Sequence, residues 1–271
     1  MKLLLTGASG LVGSRLLPRL AEAGLECRAL VRGETDLPEG VNAIRGDLAD
    51  PESLGPAVEG VDAVVHLAAL FRTEDEDAIW RANLDGTRNL IDAVKAGAPE
   101  ATLIMASTSN VYDQDARRPA REDDACSPTA AYPKSKLAAE QLLKESGLNW
   151  SILRLPFVYG DGDGHLTSLT TLASRFGLHP ATTYSVAHHR DIAVAFRLAL
   201  TGAMDRRIVN ITDEAPVTVL EMTGFGGDPI DGSTEPLENP WAGRMDGTLA
   251  RELGFTPTVP TIHEAARLDI L

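Results

Sequence analysis

Tyr132 and Lys136 are the two residues whose types and spacing most directly indicate chemistry. They are four positions apart at the start of an apolar-periodic segment, so on a helix both side chains lie on the same face. A free phenol has a pKa near 10, and a nearby ammonium favours the phenolate, which moves that pKa toward the working range of an acid/base catalyst. Thr108, at the end of the preceding strand, offers a hydroxyl to the substrate oxygen. Lys136 can also bind the nicotinamide ribose, so Tyr132 and Lys136 are predicted among the cofactor-binding residues as well. Together the three groups suit hydride transfer between a carbonyl or carbinol carbon and a nicotinamide.

A glycine-rich turn near residue 7 predicts where the dinucleotide binds. The apolar run from Leu3 to Leu5 is typical of a buried parallel strand, and three glycines follow it before a helical pattern begins. Gly7 permits the turn, Gly10 leaves room for a pyrophosphate, and Gly13 lets the new helix pack closely. The phosphates would lie at the helix N-terminus. The cofactor-binding residues predicted here are Gly7, Ser9, Gly10, Leu11, Val12 and Gly13.

The ends of the next strands predict the type of cofactor. The second strand ends at Arg32, about nineteen residues past the last glycine, where dinucleotide folds bind the adenosine ribose. A guanidinium suits a 2′-phosphate, so we expect NADP(H) to be preferred, with NAD(H) possible. Asp47 follows the third strand and offers an acceptor to the adenine amino group. Further binding segments are predicted at Leu48 and at the run Leu67, Ala68 and Ala69, whose small residues let the backbone approach the cofactor.

Composition limits the partners that this chain is expected to have. Its 271 residues carry a formal net charge of −14 at pH 7, which repels nucleic acids and anionic membranes, so we expect neither as a partner. The only cysteines, Cys27 and Cys126, are too few for a disulfide framework. No secretory signal and no run of about 18 apolar residues is visible, so a cytoplasmic protein is expected. The adjacent His188 and His189 diverge, so no metal site is predicted.

The alternation of strands and amphipathic segments predicts an α/β fold. We expect a Rossmann-type doubly wound parallel sheet with a small C-terminal substrate lobe. The dinucleotide-binding domain is predicted over residues 1–160, completed by about 184–212. The lobe is predicted over residues 161–183 and 213–271, of which the latter are expected to be more loop than helix or strand.

A long amphipathic helix is predicted from about Glu76 to Ala96. Asn83 lies on or beside its apolar face. Because a buried amide must be hydrogen-bonded, Asn83 either ties two helices together or holds a water in a proton path. His66, inside an apolar strand, is interpreted as a core residue with satisfied hydrogen bonds.

Several short motifs occur in a fixed order and cover most of the chain. They are Thr6-Gly7-Ala8-Ser9-Gly10-Leu11-Val12-Gly13, Asp47-Leu48, His66-Leu67-Ala68-Ala69, Asn83-Leu84-Asp85-Gly86-Thr87, Ser107-Thr108-Ser109-Asn110-Val111-Tyr112, Tyr132-Pro133-Lys134-Ser135-Lys136, Arg154-Leu155-Pro156-Phe157-Val158-Tyr159-Gly160, His189-Arg190-Asp191-Ile192-Ala193 and Val209-Asn210-Ile211-Thr212. The series resembles the extended short-chain dehydrogenase/reductase family and, within it, the NAD-dependent epimerase/dehydratase group.

The resemblance implies a role for each site residue. Tyr132 would be the general acid/base, Lys136 its electrostatic partner and Asn83 a water-holding fourth member. Thr108 would bind the substrate oxygen, although this position depends on counting back from Val111-Tyr112, so Ser107 and Ser109 stay open. The resemblance also implies that Pro156 to Val158 pack along the nicotinamide, and that a homodimer forms through the helices that begin near Glu76 and Tyr132.

One departure from the pattern bears on the substrate. Family members that act on nucleotide-sugars have a longer segment after the tyrosine-glycine motif, with several basic residues, whereas Arg175 is the only lysine or arginine between Asp161 and His189. A diphosphate needs several positive groups to offset its desolvation. We therefore predict an NADP(H)-preferring oxidoreductase that acts on a carbonyl or alcohol of a small molecule. The alternatives are an NAD-dependent sugar epimerase or dehydratase, and a dinucleotide-sensing regulator without catalysis.

Overall fold

A seven-stranded parallel sheet forms the centre of the computed structural model, which describes residues 1–271. The strand order is β10-β6-β5-β4-β1-β2-β3. The order reverses between β1 and β4, and ligands of such sheets bind at the carboxyl ends of the strands beside that point. The strands are β1 (Lys2–Thr6), β2 (Glu26–Val31), β3 (Asn42–Arg45), β4 (Ala63–His66), β5 (Thr102–Thr108), β6 (Asn149–Leu155), β7 (Phe157–Tyr159), β8 (Thr183–Tyr184), β9 (Val186–His188), β10 (Arg207–Asn210) and β11 (Val217–Thr218).

Helices cover both faces of this sheet, as the doubly wound prediction requires. Successive strand residues point to opposite faces, so Leu3 and Leu5 pack with the helices at residues 13–22 and 189–199, while Leu4 packs with those at 55–58, 86–97 and 131–145. The predicted Rossmann-type α/β fold is confirmed. The helices are α1 (Gly13–Glu22), α2 (Gly55–Val58), α3 (Glu76–Trp80), α4 (Gly86–Gly97), α5 (Ala131–Glu145), α6 (Leu169–Phe176), α7 (His189–Ala199), α8 (Val219–Phe225), α9 (Thr248–Glu252) and α10 (Ile262–Arg267).

The long helix predicted from Glu76 to Ala96 is not uniform. It consists of α3 and α4 joined by a π-helical segment, Arg81–Asp85, which contains Asn83. A π turn widens the helix and breaks the regular hydrogen-bond ladder, and such turns are frequent at functional sites. The Thr87 hydroxyl donates to the Asn83 carbonyl at 2.6 Å. The apolar spacing of 3.6 residues predicts the two helices but not the turn between them.

The C-terminal part is more loop than helix or strand, as predicted. Within residues 213–271 the regular elements are the short strand β11 and the short helices α8, α9 and α10. Tyr159, Met222 and Ile262 belong to a separate small core, whereas Ala250 and Phe255 pack into the core beside the main sheet. The periodicity of helices with five to seven residues is too short to detect in the sequence. The domain bounds given above stay a prediction.

The helices are also too short or too polar to cross a bilayer: none of them combines the length and apolar character that a membrane span requires.

Candidate active site

The turn after β1 brings backbone groups unusually close together. Gly7 has a φ of +77°, and a Cβ there would lie 2.6 Å from the Ala68 nitrogen. A Cβ on Gly13 would lie 2.0 Å from the Gly7 oxygen, so only glycine fits either position. The N–H groups of Leu11 and Val12 have no acceptor within the chain. These free donors at the start of α1 fit a phosphate group, which is what the glycine spacing predicts.

The other predicted cofactor residues lie along the same edge of the sheet. Ser9 and Gly10 are exposed at the tip of the turn, Ala69 is exposed after β4, and Leu67 donates its N–H to the Thr6 carbonyl at 3.1 Å. Arg32 is exposed directly after β2 and forms no ion pair.

Asp47 and Leu48 form a short turn after β3. One carboxylate oxygen of Asp47 accepts the Ala49 N–H at 3.0 Å, which leaves the other oxygen without a partner in the chain. The Leu48 carbonyl accepts the side-chain N–H of Asn89 at 2.7 Å. One free carboxylate oxygen is compatible with the predicted contact to an adenine amino group.

Tyr132 lies in the first turn of α5, close to Thr108 at the end of β5. Burial raises the pKa of Tyr132 to about 12, although the neighbouring Thr108 hydroxyl opposes this rise. The prediction that this phenol has a lowered pKa is therefore wrong for this structure, because desolvation is the largest influence and raises the pKa. At neutral pH the tyrosine hydroxyl keeps its proton.

Lys136 is buried one turn further along α5. Only 2% of its surface is exposed, and its ammonium forms no hydrogen bond or ion pair with the chain. Desolvation lowers the pKa of Lys136 to about 8, while the nearby carboxylate of Glu140 opposes the shift. The ammonium keeps a small exposed area, so a ligand bound at the site can accept its hydrogen bonds.

Three hydroxyls occur at the end of β5, and the structure distinguishes among them. Ser107 donates its hydroxyl to Glu140, whose carboxylate also accepts two hydrogen bonds from Arg154, at 2.7 and 3.1 Å. The Ser107 hydroxyl is therefore engaged by Glu140 and is not available to a substrate oxygen beside Tyr132. The Thr108 oxygen accepts the Asn110 N–H at 3.2 Å and keeps its proton free to donate. Ser109 is half-buried, so Thr108 and Ser109 are the hydroxyls that remain available.

The Asn83 side chain ties the π segment to two neighbours. Its amide nitrogen donates to the Leu70 carbonyl and to the Ser135 hydroxyl, both at 3.0 Å, and its oxygen accepts the Leu70 N–H at 2.7 Å. Ser135 in turn donates to the Tyr132 carbonyl at 2.7 Å. Of the two roles that the sequence left open, this geometry corresponds to the tie. The water-holding role stays a prediction.

Phe71 is a site residue that the sequence reasoning missed. Its ring lies on the Tyr132 ring, with the centroids 4.5 Å apart and the planes tilted by 48°, yet half of the residue is exposed. Residues 71 and 132 are far apart in the chain, so no local pattern predicts the contact. The one available signal is a large aromatic residue shortly after a strand that ends at the ligand-binding edge.

Pro156 follows β6, and Val158 lies in the short strand β7. Pro156 is half-buried, whereas the Val158 side chain belongs to the core and is nearly inaccessible. The Val158 carbonyl accepts a hydrogen bond from His165 Nδ1 at 2.8 Å, and the His165 ring stacks on Phe157 at 4.6 Å. Any contact of Val158 with a nicotinamide is therefore made by its backbone.

His66, His188 and His189 each form hydrogen bonds with other residues of the chain. His66 bridges the hydroxyls of Thr6 and Thr87, at 2.7 and 2.9 Å, and burial lowers the pKa of His66 to about 3. Its interpretation as a hydrogen-bonded core residue is confirmed. His188 bonds the Ile270 carbonyl at 2.8 Å, whereas His189 bonds a carboxylate oxygen of Asp163 at 2.8 Å, so the adjacent rings have different partners.

Comparison with known proteins agrees with this geometry. The model of the NAD dependent epimerase/dehydratase family matches residues 3–211. The chain belongs to this family. The resemblance that the motifs indicate is thereby confirmed. This family, together with relatives in sequence that are dehydrogenases, reductases and epimerases, supports an enzyme that uses a nicotinamide cofactor.

Two sequence relatives and one solved structure are representative. Sterol-4-alpha-carboxylate 3-dehydrogenase (decarboxylating) of Dictyostelium discoideum is 27% identical over 77% of this chain and 70% of its own length. The 4-hydroxy-2-methyl-3-oxo-4-farnesyl-3,4-dihydroquinoline-1-oxide ketoreductase of Stigmatella aurantiaca is 30% identical over 80% of this chain and 70% of its own length. A short-chain dehydrogenase/reductase superfamily protein from Agrobacterium tumefaciens, solved with bound NAD, superimposes with a TM-score of 0.82. The two sequences are 21% identical, and the superposition covers 99% of this chain and 95% of the other, which shows that the fold is shared.

Proposed function

We propose that the protein is an NADP(H)-preferring oxidoreductase that reduces the carbonyl of a small neutral or weakly polar molecule, or oxidises the matching alcohol. The observation that carries the proposal is the position of the Tyr132 phenol beside the Thr108 side chain, one helical turn before Lys136, whose ammonium has no partner in the chain. All three lie at the sheet edge that also holds the glycine turn.

Each of these side chains has a distinct task in reduction. Bound dinucleotide supplies or accepts the hydride. Thr108 and Tyr132 hold the carbonyl oxygen by hydrogen bonds, and Tyr132 donates its proton to that oxygen as negative charge develops there. Lys136 stabilises the phenolate that remains on Tyr132. A phenol that is fully protonated at neutral pH is the correct starting state for this direction.

The names of the two sequence relatives support carbonyl and alcohol chemistry. One is a 3-dehydrogenase and the other a ketoreductase. The second candidate is a sugar epimerase or dehydratase with tightly held NAD, which the family as a whole favours. Stoichiometric consumption of NADPH distinguishes the two, because an epimerase returns the hydride to its substrate and consumes none.

Arg32→Ala is expected to weaken NADPH binding about tenfold or more and to leave NADH binding unchanged, because a charge-assisted contact to the 2′-phosphate is lost. Fluorescence titration with both cofactors measures this, once the absorbance of the fresh protein has been checked for bound dinucleotide. Arg197→Ala on α7 is the matched exposed control. Equal affinities of the wild type for the two cofactors, or co-purified NAD, would contradict NADP(H) preference.

The rate of carbonyl reduction is expected to depend on the charge of Lys136. Because its pKa is lowered to about 8, the ammonium is present below pH 8 and is lost above it, whereas Tyr132 stays protonated across this range. We expect kcat/KM to be level at pH 6–7 and to fall about tenfold per pH unit well above pH 8. Lys134→Met, at an exposed lysine of the same helix, should keep this profile. A decline that begins only near pH 10 would refute the assignment.

A further inference from the structure

The loop that follows β4 presents an apolar ring directly beside the reacting hydroxyl. Phe71 covers part of the Tyr132 ring and leaves 50% of its own surface exposed. The Asn83 side chain holds the backbone of the neighbouring Leu70 by two hydrogen bonds: its oxygen accepts the Leu70 N–H at 2.7 Å, and its nitrogen donates to the Leu70 carbonyl at 3.0 Å. An exposed aromatic ring on a firmly held backbone is a preformed binding surface, because little conformational entropy is lost when a ligand contacts it.

A second aromatic ring lies where the same loop meets α6. Glu74 and Arg175 form an ion pair at 3.2 Å that joins the loop to this helix. Phe176, next in the chain, is 66% exposed and lies 5.7 Å from the Arg175 guanidinium. Phe71 and Phe176 are the two most exposed aromatic side chains, and both flank the junction between the loop and the C-terminal lobe.

The charges around this junction do not suit a diphosphate. Arg175 is the only lysine or arginine between Asp161 and His189, and it is paired with Glu74. His165 bonds the Val158 carbonyl, and burial lowers the pKa of His165, so it is neutral at pH 7. Arg72 is the one cation of the loop, and it forms no ion pair. A single exposed guanidinium does not offset the desolvation of two phosphates.

From these contacts we propose that Phe71 is a specificity-determining residue that selects ketones, or the matching secondary alcohols, with an alkyl chain of several carbons beside the reacting carbon. The inference rests on the proposed function and names its substrate class. The carbonyl oxygen binds at Tyr132, and the first carbons of the chain lie against the Phe71 ring. Each methylene buried there increases affinity about threefold to fourfold.

The test uses 2-butanone, 2-hexanone, 2-octanone and 2-decanone with the cofactor-loaded protein. We expect kcat/KM to rise along the series by at least about twofold per methylene over the first carbons that reach the ring. Phe71→Ala should flatten this dependence, and Phe71→Leu should retain most of it because leucine keeps an apolar wall. Leu220→Ala on α8, at another exposed apolar residue, is the control. Phe71 is half-exposed, so its truncation leaves the fold intact, which a thermal melt confirms.

Calorimetric titration of the same ketones, and of UDP-glucose, into the protein loaded with oxidised NADP⁺, which has no hydride to give a ketone, provides a readout without turnover. Dissociation constants that fall with chain length in the wild type but not in Phe71→Ala support the proposal. Equal slopes in the two proteins, or UDP-glucose that binds more tightly than 2-decanone, overturn it. Failure of the proposed function is a separate result: the ketones then bind with the expected slope, yet none is reduced with either cofactor.

Discussion

Replacing Tyr132 with phenylalanine is expected to lower kcat/KM for carbonyl reduction by about 10²–10⁴-fold. The substitution removes the hydroxyl that transfers its proton to the carbonyl oxygen in the proposed mechanism, and it keeps the ring that contacts Phe71. Cofactor affinity should be unchanged, because the glycine turn and Lys136 are untouched. Steady-state kinetics together with a fluorescence titration of the cofactor measure the two quantities separately.

A matched control for this variant is Tyr184→Phe. Tyr184 is a half-buried tyrosine on β8, outside the group of residues around Thr108 and Lys136, and its removal should leave the rate within about twofold of wild type. Full turnover by Tyr132→Phe with normal cofactor binding would show that another group supplies the proton. Ser109 carries the other hydroxyl that remains available after β5, and the activity of a Ser109→Ala variant would then test whether Ser109 supplies the proton.

Replacing Arg154 with methionine is expected to destabilise the protein by about 3–5 kcal/mol. Arg154 and Glu140 are 3% and 2% exposed and form two hydrogen bonds, so removing the guanidinium leaves a buried carboxylate without its partner. The Arg154 guanidinium also lies 4.8 Å from the centre of the Tyr112 ring, a contact that is lost as well. Urea unfolding at pH 7 measures the change in the free energy of unfolding.

The double variant Arg154→Met with Glu140→Gln should recover a substantial part of that loss. The glutamine amide at position 140 carries no charge and still accepts a hydrogen bond from the Ser107 hydroxyl. The cost of burying an unpaired carboxylate is therefore removed. Arg88→Met breaks an exposed ion pair with Asp85 and should move the unfolding midpoint little. A single Arg154 variant as stable as the Arg88 variant would show that the buried pair contributes no net stability.

Features that depend on neighbours in the chain could be read from the sequence. The glycine turn, the strand that precedes it and the helical spacing of Tyr132 and Lys136 each involve fewer than about a dozen residues, where backbone geometry fixes which groups meet. The parallel topology then brings Thr108 to the same edge without further information. The class of fold and the group of catalytic candidates therefore follow from local patterns and one fold rule.

Features that depend on tertiary packing could not be read in this way. Phe71 meets Tyr132, and Glu140 meets Arg154, only because separate elements pack together, and no spacing signals either contact. The direction of the Tyr132 pKa shift depends on how deeply the phenol is buried. Sequence reasoning weighed the ammonium and had no measure of desolvation, which is the larger influence here.

The π segment Arg81–Asp85 also bears on how relatives should be aligned. An i→i+5 turn holds one residue more than an α-helical turn, so a relative with a regular helix here would be one residue shorter. Aligners normally avoid gaps inside helices and would shift every position on one side of such a deletion. A one-residue gap at 81–85 would instead align both Ile79 and Leu90 with their structural counterparts. It would also mark the relatives that lack the Asn83 amide, which binds the Leu70 backbone here.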